Sequence, residues 1–207
     1  EVGEPIEAPE KEWTWVEFPD THCADGSPTG LGINLYPGAQ RAIIYLEGGG
    51  ACWDFATCSG GIRTSFHLGG YGEAKFRGVI AEVYRNSLLL SREDVKNPFA
   101  KAHQVFIPYC TGDVHVGDNI VDLGGLFPWQ RSTIYFKGQH NLRAFLKRLV
   151  PTFEGVEHIV FAGASAGGFG SAFTWPYARK VFAPARVDVI DDSGPPVDAD
   201  PERWRHW

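Results

Sequence analysis

Ile159-Val160-Phe161-Ala162-Gly163-Ala164-Ser165-Ala166-Gly167-Gly168 reads as a buried apolar strand that runs straight into a Gly-x-Ser-x-Gly turn. A serine on a sharp strand-to-helix turn has strained backbone angles, and side chains at the flanking positions would collide with neighbouring chain. Glycine at 163 and 167 removes that collision. The turn leads into Phe169-Gly170-Ser171-Ala172-Phe173, the start of a predicted helix whose dipole favours negative charge near the serine. Ser165 is therefore the candidate nucleophile, and the backbone N–H of Ala166 is one half of a candidate oxyanion hole.

Working outward, three further apolar runs read as buried central strands beside His158 to Ala162: Ala42 to Leu46, Gln104 to Pro108 and Val187 to Ile190. Trp13 to Phe18 alternates and reads as a weaker strand. Leu142, Phe145, Leu146 and Leu149 fall on one stripe opposite Arg143, Lys147 and Arg148, which predicts a helix over Asn141 to Val150 packed on the sheet. The helix after Gly167 is expected to break or kink near Trp175, ahead of Pro176. Strand, helix, strand, helix, strand is the pattern of a parallel α/β sheet. Ser59 to Asn97 has no clear strand character and reads as an excursion over the mouth of the site.

A second site element follows the first central strand. In Leu46-Glu47-Gly48-Gly49-Gly50-Ala51-Cys52-Trp53 three glycines stand where the chain leaves the carboxyl end of the sheet, the edge at which open α/β sheets bind ligands. Glycines there let the backbone approach a substrate carbonyl, so Gly49 and Gly50 are candidate oxyanion donors. The lysine of a phosphate-binding P-loop is absent from this stretch. Trp53 and His115, the latter in Thr111-Gly112-Asp113-Val114-His115 after a central strand, are candidate substrate contacts.

Composition bounds the function. The 207 residues include 43% hydrophobic and 21% charged ones, which suits one globular domain. No apolar run approaches the roughly 20 residues that span a bilayer. A formal charge of −6 without a basic cluster argues against nucleic acid and anionic membranes. Residues 1–12 are acidic and contain prolines, which predicts a flexible leader ahead of a unit covering 13–207. Four cysteines allow three pairings; we expect Cys52 with Cys58 and Cys23 with Cys110. No spacing indicates zinc, so oxidised bridges in an exported protein, secreted or periplasmic, are the expectation.

Taken together, Tyr45-Leu46-Glu47-Gly48-Gly49-Gly50-Ala51-Cys52-Trp53, Asn97-Pro98-Phe99, Ile107-Pro108-Tyr109-Cys110-Thr111-Gly112-Asp113, Gly163 to Gly168 and Asp192-Ser193-Gly194 resemble the pectin acetylesterase/Notum family. The resemblance runs from about Thr21 onward, and several motifs in the right order make it far more specific than the serine turn alone. It implies an α/β-hydrolase-like, mostly parallel sheet with flanking helices. It also implies secretion, no metal or other cofactor, and a serine esterase that removes acyl groups such as acetyl from polysaccharide, or palmitoleate from a protein. Both disulfide pairings agree with it.

One part of the pattern is missing. In this fold the order is serine, acid, histidine, yet the sole histidine after Ser165 is His206 in Trp204-Arg205-His206-Trp207. An apolar strand at Val187 to Ile190 with nothing to pair it would also leave an unprotected edge. The expectation is therefore the N-terminal part of a single catalytic domain lacking its C-terminal strands, with the acid and base beyond Trp207 or on a second polypeptide. Two rival readings stand beside an esterase acting on acetylated carbohydrate: a polyester or lipid esterase, and a non-catalytic carbohydrate-binding or scaffold protein.

Overall fold

The computed structural model describes residues 3–59, 62–81, 87–127, 129–194 and 205–207. In chain order the elements are β1 (Thr14–Phe18), β2 (Thr29–Asn34), β3 (Arg41–Leu46), α1 (Phe55–Cys58), α2 (Glu73–Val79), β4 (His103–Ile107), β5 (Asn119–Asp122), β6 (Thr133–Phe136), α3 (Gly138–Thr152), β7 (His158–Ala164), α4 (Ala166–Val181) and β8 (Arg186–Asp192). Six strands form one sheet in the order β1-β2-β4-β3-β7-β8, and β5 with β6 makes a separate antiparallel hairpin.

The four apolar runs are the four parallel strands: β3 pairs with β4 and β7, and β7 with β8. The sheet is mixed, because β2 runs antiparallel to both β1 and β4. Alternate side chains divide between two faces. Ile44, Leu46, Val105, Ile107, Ile159 and Phe161 pack under α3 and α4 with Phe145, Leu149 and Phe182. Ile43, Tyr45, Phe106, Val160 and Ala162 face the other way, against Tyr71, Phe76, Leu90 and Phe99. Each fully buried large apolar side chain contributes about 1.5–3 kcal/mol.

β2 has no counterpart in the sequence reading, and two glycines explain why. A Cβ at Gly32 would lie 2.1 Å from the ring of Phe76, and one at Gly30 2.1 Å from the carbonyl oxygen of Val16. The strand gives up its own side chains so that the Phe76 ring can lie against it, which erases the hydrophobic period a strand is recognised by.

Three expectations need correction. The excursion over Ser59 to Asn97 serves two purposes: residues 64–66 run beside Gly49 and Gly50, whereas Tyr71 and Phe76 cover the second sheet face. α4 continues through Pro176 to Val181. Pro176 sits on the exposed side of the helix, where water can take the hydrogen bond the ring cannot make. The acidic start is docked rather than loose. Ile6 is buried, its N–H donates to Thr152 Oγ1 at 2.7 Å, the Gly3 N–H donates to the Lys147 carbonyl at 2.9 Å, and Lys11 bonds Leu35.

The two disulfides are Cys23–Cys110 and Cys52–Cys58, as expected from the sequence. Among the described residues β8 pairs with β7 alone, and its Val189 and Ile190 are 36% and 39% exposed. No helix among the described residues is long and apolar enough to cross a membrane.

Candidate active site at the carboxyl edge of the sheet

The turn after β7 has the strained geometry that its glycines announce. Ser165 adopts φ 55°, ψ −119°, an unfavourable region for a residue with a Cβ. Close backbone packing holds it there. A Cβ at Gly163 would lie 2.2 Å from the Gly167 carbonyl oxygen, one at Gly167 2.0 Å from that of Leu46, and one at Gly168 2.3 Å from Asp191 Oδ1. The Ser165 N–H donates to the Asp192 carbonyl at 2.8 Å, which ties the turn to the end of β8. The side chain is exposed, and its hydroxyl makes no hydrogen bond with another described residue.

Three glycines after β3 approach this turn. Gly48 comes nearest the serine: a Cβ there would lie 2.4 Å from the Ala164 carbonyl oxygen and 3.3 Å from Ser165 Cβ. Gly50 has φ 78° and no room for a side chain against the Thr64 carbonyl. Gly49 accepts from the Phe66 N–H at 2.9 Å, and Ala51 donates to Thr64 at 3.2 Å, so the loop is clamped from its outer side. The N–H groups of Gly48, Gly49, Gly50 and Ala166 donate to no other described residue. Gly48 lies beside the positive end of α4, where partial charges favour an anion.

The floor of the loop is a polar layer that the sequence reading passed over. Glu47 is buried. Its Oε2 accepts from the Tyr109 N–H at 3.0 Å and its Oε1 from the Tyr71 hydroxyl at 3.3 Å. Burial lifts its carboxyl to about 7, against hydrogen bonds from Tyr109 and Tyr71 and the charge of Lys75, which all favour ionisation. Asp113 is fully buried. It accepts from the Thr111 hydroxyl at 2.5 Å and from the N–H groups of His115 at 3.1 Å and Gly138 at 2.8 Å. Burial still raises its carboxyl, to about 6. The detectable signal for Glu47 was its position: it is the only charged residue between Arg41 and Asp54.

His115 belongs to that floor. Its ring is buried 4.7 Å from the Tyr109 ring, and Nε2 lies 2.8 Å from the Glu47 carbonyl. Burial depresses the imidazole to about 4, so at neutral pH the ring is uncharged and Nε2–H donates to that carbonyl. The expectation of a substrate contact is corrected accordingly: His115 supports the loop from beneath, committed to a backbone oxygen. Trp53 is half-buried past the loop, its N–H held by Thr57 Oγ1 at 3.1 Å.

Other histidines stand elsewhere. His103 and His158 open β4 and β7, at the sheet end opposite Ser165, and His158 pairs with Asp188 at 2.9 Å. His22 and His140 bond backbone carbonyls of Gly26 and Asp20. His206 is bonded by Arg205 at 3.2 Å, and the adjoining Trp207 donates to the Cys52 carbonyl at 2.8 Å and packs near Ala51 and Ala166. Among the described residues, then, no histidine is hydrogen-bonded to the Ser165 hydroxyl. Nor do the described residues hold a group of three or more His, Cys, Asp or Glu placed for a metal ion.

The profile of the family described as Pectinacetylesterase matches residues 12–206. Pectin acetylesterase 5 of Arabidopsis thaliana is 28% identical over 179 residues, 83% of this chain and 38% of that protein. Palmitoleoyl-protein carboxylesterase NOTUM of Schmidtea mediterranea is 29% identical over 161 residues, 74% of this chain and 28% of its own length. The human palmitoleoyl-protein carboxylesterase NOTUM is 27% identical over 150 residues, 72% and 28% respectively. The chain thus spans between a quarter and two fifths of these relatives. The crystal structure of the Wnt deacylase Notum from Drosophila superposes with a TM-score of 0.65 at 21% identity, covering 94% of this chain and 60% of that one. The sheet is therefore of the α/β-hydrolase-like kind.

Proposed function

The chain belongs to the pectinacetylesterase family, and from that premise we propose that it carries the nucleophile and oxyanion hole of a serine carboxylic-ester hydrolase. One observation carries the reading. Ser165 stands exposed on a strained turn, and the N–H groups of Ala166 and Gly48 to Gly50 donate to no other described residue. Ser165 attacks the ester carbonyl as its proton passes to the base, and the tetrahedral intermediate breaks the ester C–O bond, releasing the alcohol with that proton and leaving an acyl-serine. The N–H groups of Gly49, Gly50 and Ala166 hold the oxyanion, each contributing about 3 kcal/mol to lowering the barrier. Gly48 brings the loop against the serine. Water then releases the acid and regenerates the hydroxyl.

The base that takes the serine proton, and the carboxylate that orients it, come from polypeptide other than the described residues: from chain beyond Trp207, as part of one catalytic domain with 13–207, or from a second polypeptide. The exposed edge of β8 is where further strands of such a domain would pair. For substrate we favour acetylated carbohydrate, the class suggested by the name of the Arabidopsis relative. Two disulfides favour a secreted or periplasmic setting. The test is acetate release from acetylated xylan and pectin by the natural protein and its Ser165→Ala variant. Release that disappears in the variant supports the reading; release that persists refutes it.

A non-catalytic carbohydrate-binding protein is the second reading, favoured by the absence of a histidine on the Ser165 hydroxyl among the described residues. Binding of the same glycans without turnover, unchanged in Ser165→Ala, would select it.

A further inference from the structure

We propose that Glu47 is a positioning residue for the Gly48–Gly50 loop: it anchors the loop to Tyr109 and Tyr71, and the proton on its carboxyl sets the field beneath the loop's N–H groups. The inference rests on reading that loop as the oxyanion hole.

Glu47 is the last residue before the glycines, and every polar group it owns is engaged. Its N–H donates to the Ile107 carbonyl at 3.0 Å, its carbonyl accepts from His115 Nε2 at 2.8 Å, and its carboxyl accepts from Tyr109 and Tyr71. The contact with Tyr109 is transmitted onward. The Tyr109 ring underlies Gly49 so closely that a Cβ there would lie 2.9 Å from Cδ1. The same ring lies tilted against His115, and its hydroxyl accepts from the Val114 N–H at 2.9 Å. Glu47 therefore holds the loop twice, through its own backbone and through the aromatic ring below it. Gly48, next along, is already within contact distance of Ser165.

The carboxyl is also the nearest buried charge to those donors in sequence. Ionised, it opposes a negative oxygen held by the loop. Protonated, it still accepts from the Tyr109 N–H on Oε2, while Oε1–H can donate to the Tyr71 oxygen once that hydroxyl rotates. Both states are thus accommodated without breaking the anchor. Burial favours the protonated form up to about pH 7. The groups that act on this carboxyl are the Tyr71 hydroxyl, Lys75 from α2 and the Tyr109 N–H; one step further out, His67 lies against the Tyr71 ring, Asp113 acts on Tyr109, and His115 bonds the Glu47 backbone carbonyl. Lys75 lies 4.7 Å from the centre of the Tyr71 ring, and Asp25 in turn faces Lys75. His67 is the neighbouring imidazole, lowered from the usual histidine range by burial and by Lys75.

The test follows the amide resonances of Gly48, Gly49 and Gly50 from about pH 5.5 to about 8.5 in the natural protein, in Glu47→Gln and in His67→Gln. We expect one common midpoint near pH 7, set by the raised Glu47 carboxyl. The titration should vanish in Glu47→Gln and survive in His67→Gln, while β3 and β7 amides stay in place as evidence of an intact fold. Loop amides that do not titrate, or that titrate unchanged in Glu47→Gln, overturn the proposal. The readout needs no turnover, so loss of the esterase reading would register separately. In an active preparation, Glu47→Ala should lower kcat by about 10²-fold, the scale of a small misplacement of catalytic groups, and Glu47→Gln should restore most of it.

Discussion

Two loops meet at the carboxyl edge of the sheet, and they are built on opposite principles. The turn after β7 is held chiefly by close packing: three glycines leave no room for a Cβ, two against backbone oxygens and one against the Asp191 carboxyl, and one serine is forced to positive φ. The loop after β3 is held by side chains. Glu47, Tyr109, Asp113 and His115, drawn from two segments more than 60 residues apart, make a buried polar layer under it. The first arrangement rests mainly on backbone packing, which protons do not alter. The second is sensitive to protons, because two of its carboxyls and its imidazole have displaced titration ranges.

Among single substitutions, the largest effect should come from the backbone-built turn. Gly167→Ala puts a methyl group 2.0 Å from the Leu46 carbonyl oxygen, so β3 and β7 must separate or the turn must open. We expect a loss of about 3 kcal/mol or more, read as a fall in the denaturant midpoint. If the turn tolerates alanine with less than about 0.5 kcal/mol lost, it is not packed as described.

The side-chain-built loop should break next, at Asp113. Asp113→Ala leaves the N–H groups of His115 and Gly138 and the Thr111 hydroxyl buried without their acceptor. A cost of about 2–4 kcal/mol is expected, with Asp113→Asn recovering part of it because one oxygen remains. Equal destabilisation by both variants would contradict the hydrogen-bond assignment.

The disulfides sharpen the comparison further. Cys23–Cys110 closes a separation of 87 residues and Cys52–Cys58 one of 6. Chain entropy alone predicts losses of roughly 4–5 and 2–3 kcal/mol on replacing each pair by alanine. The short bridge, which sits just past the glycine loop, should instead show its main effect on reactivity at Ser165.

The smallest effect is on pH dependence. Unfolded Glu47 loses its proton near 4.5, whereas the folded carboxyl keeps it to about 7. Stability from this group is complete below about pH 4.5 and falls as pH rises through about 7. His115 acts in the opposite sense: its folded value near 4 lies below 6.5, so its neutral burial favours the fold above 6.5 and is lost as pH drops toward 4. Glu47→Gln should therefore gain on the natural protein between pH 5 and 8, by an amount on the order of 2–3 kcal/mol. A constant difference across that range would show that Glu47 does not titrate within it.

The same contrast explains what the sequence discloses. The turn after β7 is written in ten consecutive residues, because its glycines contact one another or adjoining strands. The parallel strands β3, β4 and β7 are legible for a similar reason, each being a largely apolar buried run, whereas β8, expected to be buried, is mostly exposed and shows only through Val187, Val189 and Ile190. β2 is not, since Gly30 and Gly32 yield their space to Val16 and Phe76. In the short hairpin β5 is largely exposed, and β6 buries only Ile134 and Phe136 in four residues, too short a run for its period to stand out. The polar layer under Gly49 was hidden because its partners lie up to 68 residues apart, and a histidine that supports a carbonyl looks, in sequence, like one that faces a substrate.

The central claim is that Ser165 is an activated nucleophile served by these two loops. The protein purified from its natural source should be treated with a fluorophosphonate, and the modified residue located by mass spectrometry beside a Ser165→Ala control. The account predicts a single adduct on Ser165 that is absent from the control. A folded, intact protein that takes no label, or takes it at another residue, would contradict it.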